Sequence, residues 1–343
     1  MVVSVPARPT ADPDDLTLRQ GRCVVAAVGV APFVLGETSA RDVLRTAHSA
    51  AQDARKSETG VSVYSPESDA AHRRQFRLLH DFGAALADPG RQLRVVFQPR
   101  VALPSGTCVG AEVLLRWRHP ELGEISPGEF IPIIEQSSLA RLATEWVLDA
   151  ALAQLAVWQR GATAVPLSVN VSATNLEERD FAVRVQLALI RYGVRAEMLE
   201  IEITESAVME NTVNAIEQLE ALQAAGIKIS IDDFGTGYSS LAYLQVLPAS
   251  VVKIDKSFVR GIATDMKAQT LVRSMTTLSH DLGYRVVAEG VETAAAADCV
   301  TALGCDEAQG YFYARPLEAG GFPEWLLTRN GAPIRPRPTI ATH

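Results

Sequence analysis

Eight short runs, most of them separated by helical stretches, constrain this chain more than any other feature: Arg94–Gln98, Cys108–Trp117, Pro166–Val171, Met198–Thr204, Lys228–Asp233, Val251–Asp255, Arg285–Glu289 and Glu307–Tyr311. Each has the length and composition of a strand, and amphipathic segments such as Leu142–Arg160 and Val213–Ala225 lie between them. A strand–helix succession of this kind predicts an α/β fold, the (β/α)8 TIM-like barrel. The first two runs are joined only by the turn Pro104-Ser105-Gly106, which predicts a hairpin and therefore one strand running against the others.

Successive side chains on a strand point to opposite faces. Glu112, Leu114 and Arg116 share a face of the second strand, and Ser168 and Asn170 share one of the third. Glu200, Glu202 and Thr204 do so on the fourth, Lys228, Ser230 and Asp232 on the fifth, and Lys253 and Asp255 on the sixth. In a barrel the apolar face packs against the helices and the other face points inward. A charge there is costly unless it is paired or bound to metal. The C-terminal strand ends carry Glu112, Glu202, Asp232, Asp233 and Glu289, offset only by Lys253 and Arg116. One such acid reads as a solvated strand end. A set spread over several strands, at the face where barrel enzymes keep their sites, predicts divalent cations. With Asn170 the donors are all oxygen, which selects Mg²⁺ or Mn²⁺ over zinc or iron. The adjacent Asp232 and Asp233 can bridge or divide between two ions, an arrangement suited to phosphodiester cleavage.

The formal net charge of −8 gives no long-range attraction for duplex nucleic acid. Any anionic substrate must then rely on bound cations or a few placed Arg and Lys residues. Cys23, Cys108, Cys299 and Cys305 form no CxxC pair and no zinc pattern, and read as reduced thiols. No membrane segment is expected, and Met1–Leu16 lacks a signal-peptide core. The expected location is cytoplasmic, alone or as the cytoplasmic portion of a larger sensor.

The chain divides into a disordered leader over 1–20, a small αβ segment over 21–65, a connector helix over 66–90, the barrel over 91–329, and a disordered Pro- and Arg-rich tail over 330–343. Within the αβ segment, Cys23–Val30 and Gly60–Tyr64 read as strands. Ser39-Ala-Arg-Asp42 is a capping box that opens a helix reaching about Lys56. Ser65-Pro66 starts the connector and Asp88-Pro89-Gly90 ends it.

Glu112-Val-Leu-Leu-Arg116, followed by Trp117-Arg118-His119-Pro120, resembles the signature of EAL domains. Asn170-Val-Ser172, Glu202-Ile-Thr-Glu205, Asp232-Asp-Phe-Gly-Thr-Gly-Tyr-Ser-Ser240, Lys253-Ile-Asp255, Glu289-Gly-Val-Glu292 and Gln309-Gly-Tyr311 follow in family order. From Val95 to Pro316 the chain is thus similar to a cyclic di-GMP phosphodiesterase. The resemblance implies a barrel with an antiparallel first strand. It also implies hydrolysis of cyclic di-GMP to linear 5′-pGpG by two Mg²⁺ or Mn²⁺ ions, inhibition by Ca²⁺, and a homodimer joined through the barrel. By the same resemblance Glu112, Asn170, Glu202 and Asp232 hold the first ion, and Asp232 and Asp233 hold the second, with Glu289 nearby or bound. Lys253, Glu289 and Glu112 carry catalysis, Lys253 by positioning the attacking water. Gln98, Leu114, Arg116 and Asp255 contact substrate, Arg116 at a phosphate. Glu292 and Gln309 hold metal-bound water, and Glu205 anchors the loop Phe234–Ser240.

Three positions depart from the family: Val113 where Ala is usual, Phe97 where Tyr is usual, and Ile134 where a small residue is usual. None removes a ligand. Val28-Gly-Val30 and Ala47–Arg55 resemble the last strand and helix of a GGDEF cyclase domain. Its signature is absent, so no cyclase activity is expected. The alternative to an enzyme is a catalytically silent receptor for cyclic di-GMP, or a regulatory scaffold; the complete ligand set favours the enzyme. Gly235-Thr-Gly237 lacks the Lys of a phosphate loop. Ser250-Val-Val-Lys253 enters a strand without the partner motifs of acyl-enzymes.

Overall fold

The computed structural model describes residues 2–6, 26–34, 37–55, 57, 59–88, 90, 92–161, 163–205, 207, 212–236, 244 and 247–330. The chain forms two compact units, residues 1–82 and 83–343. In the first, β1 (Val2–Pro6), β2 (Ala26–Val30) and β3 (Val61–Val63) make one sheet in that order, with β1 antiparallel and β3 parallel to β2. The helix α1 (Ala40–Ala54) starts on the predicted cap. The Ser39 hydroxyl accepts the Asp42 N–H at 3.1 Å and donates to the Asp42 carboxylate at 2.7 Å. Its alanine face lies flush on β2, because a Cβ at Gly29 would sit 2.2 Å from the Ala51 nitrogen. α2 (Pro66–Ala87) has Pro at its first position and runs through the division between the units.

The leader, expected to be disordered over 1–20, contains a strand. Val2-Val-Ser-Val-Pro6 is β-branched enough to pair with Ala26–Val30, and the prolines that follow it masked that signal. The rest of the leader, the tail from Gly331 on, and Cys23 lie outside the described residues.

The second unit is the predicted closed barrel. Its strands are β4 (Leu93–Ala102), β5 (Cys108–His119), β7 (Leu167–Val171), β8 (Leu199–Thr204), β9 (Lys228–Phe234), β10 (Val251–Ile254), β11 (Arg285–Ala288) and β12 (Glu307–Gln309), and β6 (Gly123–Ile125) extends β5. β4 pairs antiparallel with both β5 and β12 and so closes the barrel; the other barrel pairs are parallel. The helices are α3 (Pro127–Glu135), α4 (Ala140–Arg160), α5 (Ala173–Leu176), α6 (Phe181–Tyr192), α7 (Thr212–Ala224), α8 (Lys256–Val259), α9 (Met266–Asp281), α10 (Ala294–Ala302) and α11 (Phe322–Asn330). No described helix is long and apolar enough to cross a membrane.

The outward strand faces, including Leu167, Val169, Ile201, Ile203 and Ile229, pack against Leu152 and Leu155 of α4, Val185 of α6 and Leu219 of α7. Each fully buried Leu or Ile contributes roughly 1.5–3 kcal/mol. Two of the unusual positions belong to this layer. Val113 is buried in it, and Phe97 packs edge-on against the stacked pair Trp158 and Phe322, with ring centroids 4.6 and 6.2 Å away. They change packing outside the barrel lumen.

Candidate active site

Parallel pairing brings the inward polar residues into register. Asn170 lies opposite Glu202, Thr204 opposite Asp232, and on the hairpin Gln98 opposite Glu112. At the centre is Lys253 of β10, fully buried. Its ammonium lies 2.7 Å from Glu289, 2.9 Å from Glu202, 3.2 Å from Asp232 and 3.8 Å from Glu112. Glu112 is held from two sides: the Asn170 amide donates to one oxygen at 2.7 Å and the Gln309 amide to the other at 2.5 Å. Carboxylate oxygens of Glu112, Glu202 and Asp232 all lie within 4.8 Å of one another, and so do those of Asp232, Asp233 and Glu289.

One ammonium cannot neutralise this many acids. Burial, joined by Asp232 and Glu112 and opposed by Lys253, pushes the Glu289 carboxyl up to about 8. Burial and the same neighbours drive Glu202 well above the usual carboxylate range. Asp233 is raised by burial, then by Asp232 and Asp255. Burial alone would lower Lys253, but the four surrounding carboxylates hold its ammonium well above its usual range. Glu202 Oε1 is buried with no hydrogen-bond partner. All-oxygen donors, excess negative charge and an orphaned carboxylate oxygen fit hard divalent cations.

The strand end that carries the paired aspartates is bent. Asp233 has φ 54°, a left-handed conformation that costs a non-glycine residue about 1–2 kcal/mol. Its N–H donates to Asp232 Oδ1 at 3.0 Å. Such strain persists where surrounding structure enforces it, often at sites. Next along, Gly235 has φ 93°, and a Cβ there would meet Met275 Cε at 2.5 Å. Its N–H donates to Glu205 Oε2 at 3.4 Å, so Glu205 reaches the first turn of the loop it was expected to anchor. Most of that loop lies outside the described residues.

Above the acids opens a cleft of about 400 Å³, lined by Gln98, Glu112, Asp232, Glu289, Glu292, Gln309 and Tyr311, and by Lys256 and Arg260. Gln98, Glu292 and Gln309, three of the residues singled out in the sequence, are among its lining. Leu114 and Arg116 share the face of Glu112 but do not line this cleft. Arg116 is half-buried and donates to the Leu115 carbonyl at 2.9 Å, and burial pulls its guanidinium below its usual range. Asp255 caps α8: it accepts the Ser257 N–H at 2.9 Å, and despite burial that bond holds its carboxyl below the usual range.

The sequence reading missed Lys256 and Arg260. They follow the Lys253-Ile-Asp255 strand on a single helical turn, where strand alternation no longer says which way a side chain faces. It also missed the role of Arg100. This buried guanidinium lies one step below Gln98 on β4 and donates to both oxygens of Glu200 at 2.7 Å.

Residues 81–316 match the EAL domain family. A cyclic di-GMP phosphodiesterase of Pseudomonas aeruginosa is 40% identical over 286 residues, covering 83% of this chain and 49% of that protein. The bifunctional diguanylate cyclase/cyclic di-GMP phosphodiesterase MucR of the same organism is 38% identical, covering 86% of this chain and 43% of that protein. This chain thus spans about half the length of these curated relatives. Among solved structures, the MucR phosphodiesterase in complex with c-di-GMP aligns with TM-score 0.68 at 42% identity, over 71% of this chain and 98% of that one. An EAL enzyme bound to cAMP and cyclic di-GMP aligns with TM-score 0.70 at 33% identity, over 75% of this chain and 70% of that one. Fold, acidic mouth and ordered motifs agree with these matches: the chain belongs to the EAL-domain family.

Proposed function

We propose that this barrel hydrolyses cyclic di-GMP to linear 5′-pGpG with two divalent cations, Mg²⁺ or Mn²⁺, at its mouth. The observation that carries the reading is the set of four carboxylates around one buried lysine, with an orphaned oxygen on Glu202. The relatives named as cyclic di-GMP phosphodiesterases supply the substrate.

Glu112, Asn170, Glu202 and Asp232 would hold one ion, and Asp232, Asp233 and Glu289 the other. Bound there, the ions supply positive charge to the scissile phosphate and acidity to the attacking water. The chain's own groups set the geometry. Asn170 and Gln309 fix both oxygens of Glu112. Lys253 fixes Glu202, Asp232 and Glu289, and offers its ammonium protons to the water at the same centre. Water adds to phosphorus as the P–O3′ bond breaks; the 3′-oxygen leaves as a hydroxyl and a 5′-phosphate monoester remains. Residues 91–329 form the hydrolase in this reading, and 21–65 a cyclase-like remnant without cyclase activity. A homodimer joined through the barrel, in the cytoplasm, belongs to the same reading.

The test is incubation of the purified chain with cyclic di-GMP and Mn²⁺ or Mg²⁺, followed by chromatography. The expected product is 5′-pGpG. Ca²⁺ is expected to bind without supporting cleavage, because it takes more ligands at longer distances. Tight binding with no product in Mn²⁺ would overturn the enzyme in favour of a silent receptor.

A further inference from the structure

The cleft is electrically lopsided. Its acids Glu112, Asp232 and Glu289 gather around the ammonium of Lys253, while Lys256 and Arg260 are the only lysine or arginine among its described lining residues. Unlike Lys253, neither forms a salt bridge with a described acid. They are held together by local structure. Asp255 caps the one-turn helix α8, and the Arg260 N–H donates to the Lys256 carbonyl at 2.8 Å. Residues four apart on a turn share a side. Gly290 brings the strand end that bears Glu289 close against them, since a Cβ there would fall 2.4 Å from Lys256 Cβ. Beside the cleft the same two cations line a smaller pocket of about 90 Å³, with Glu292 as its acid. That is about three times the ~30 Å³ share of one water in the liquid, enough for a phosphate-sized group.

A cyclic dinucleotide carries two phosphates. Only one can be attacked at the acid cluster, so the other must lie elsewhere in the cleft, and an unneutralised phosphate would be repelled by those acids. We propose that Lys256 and Arg260 form an anion subsite for the phosphate that is not cleaved. This rests on the reading that a cyclic dinucleotide is the substrate. In the pocket lining two cations stand against one acid, Glu292, while Asp255 is engaged with the Ser257 N–H at the helix cap, and the spacing of one helical turn lets both cations reach a single phosphate.

The test uses the double variants K256A/R260A and K256Q/R260Q. KM for cyclic di-GMP is expected to rise about tenfold, more than kcat falls, and its dependence on salt to flatten. Hydrolysis of bis(p-nitrophenyl) phosphate, which has no second phosphate, should suffer at least fivefold less. Equal losses on both substrates, or a KM and salt dependence like those of the parent, would overturn the subsite. So would full retention of affinity by K256Q/R260Q alone, because hydrogen-bonding to a base edge survives loss of charge and phosphate pairing does not. Calorimetric binding of cyclic di-GMP in Ca²⁺ separates this proposal from the proposed activity. If the parent binds without cleaving, weaker binding by both double variants keeps the subsite while the activity fails. If the parent does not bind, both fail.

Discussion

Glu200 and Glu202 stand two residues apart on β8, point into the same lumen and are equally buried, at 1% and 0% exposure, yet they are driven in opposite directions. At the base, Arg100 donates to both oxygens of Glu200 at 2.7 Å and faces Glu307 at 2.8 Å, while Arg285 reaches Glu307 at 2.7 Å. Against the pull of burial, Arg100 keeps the Glu200 carboxyl below its ordinary range. At the mouth, Glu202 shares one ammonium with three other acids, and burial carries it upward. Burial of a charge therefore does not mark a site. An excess of one sign that the fold leaves unmatched does.

The comparison can be broken most sharply at Asp232, which belongs to both acid clusters. Asp232→Ala, and likewise Asn170→Ala, should lower turnover of cyclic di-GMP about a thousandfold, as loss of a key electrostatic group does, with little change in Tm. Near-normal turnover at modest Mg²⁺ would sink the ligand assignment.

At the base, Arg100→Leu strands Glu200 and Glu307 in the interior and should destabilise the fold by about 3–5 kcal/mol in urea unfolding. Glu202→Gln, measured without metal, still leaves Lys253 with Glu112, Asp232 and Glu289 and should be neutral or stabilising. Equal destabilisation by the two variants would erase the distinction between base and mouth.

The mouth should also register pH. Glu289 is raised in the folded protein, so the native state holds a proton that the unfolded chain has already lost. In EDTA, the contribution of Glu289 to stability should be fully present below the ordinary carboxylate range and be lost as pH rises towards about 8, a slope that Glu289→Gln should remove. Saturating Mn²⁺ should remove that slope, and a flat profile in EDTA would contradict the electrostatic account. The smallest effect is expected at Glu205. Its alanine variant should weaken the Mg²⁺ dependence of activity about tenfold, as loss of an outer support does. If dimer geometry is coupled to this loop, dimerisation should weaken with it; unchanged metal titration and unchanged dimerisation would leave Glu205 a solvated strand end.

Much of this was legible because a strand has a period of two. Once Ile201 and Ile203 are read as outward, Glu200 and Glu202 must both face in, and the same logic places Asp232 and Lys253. Alternation gives a face but not a partner. The pairing of Arg100 with Glu200 joins residues a hundred positions apart across the barrel, so nothing in the sequence distinguished the matched glutamate from the unmatched one. Lys256 and Arg260 fell outside every strand pattern, and β1 was hidden by its neighbouring prolines.

The reversed first strand has a mechanical consequence. Where all strands of a barrel run parallel, the chain joins at the floor, opposite the reactive rim. Here β4 begins at Leu93 beside Trp117, descends past Gln98 opposite Glu112, and reaches Arg100 below. The polypeptide is wired in from above. The segment ahead of Leu93 thus enters at the reactive rim, and a single strand carries the chain from there past the wall of the cleft to the Arg100 clamp at the floor.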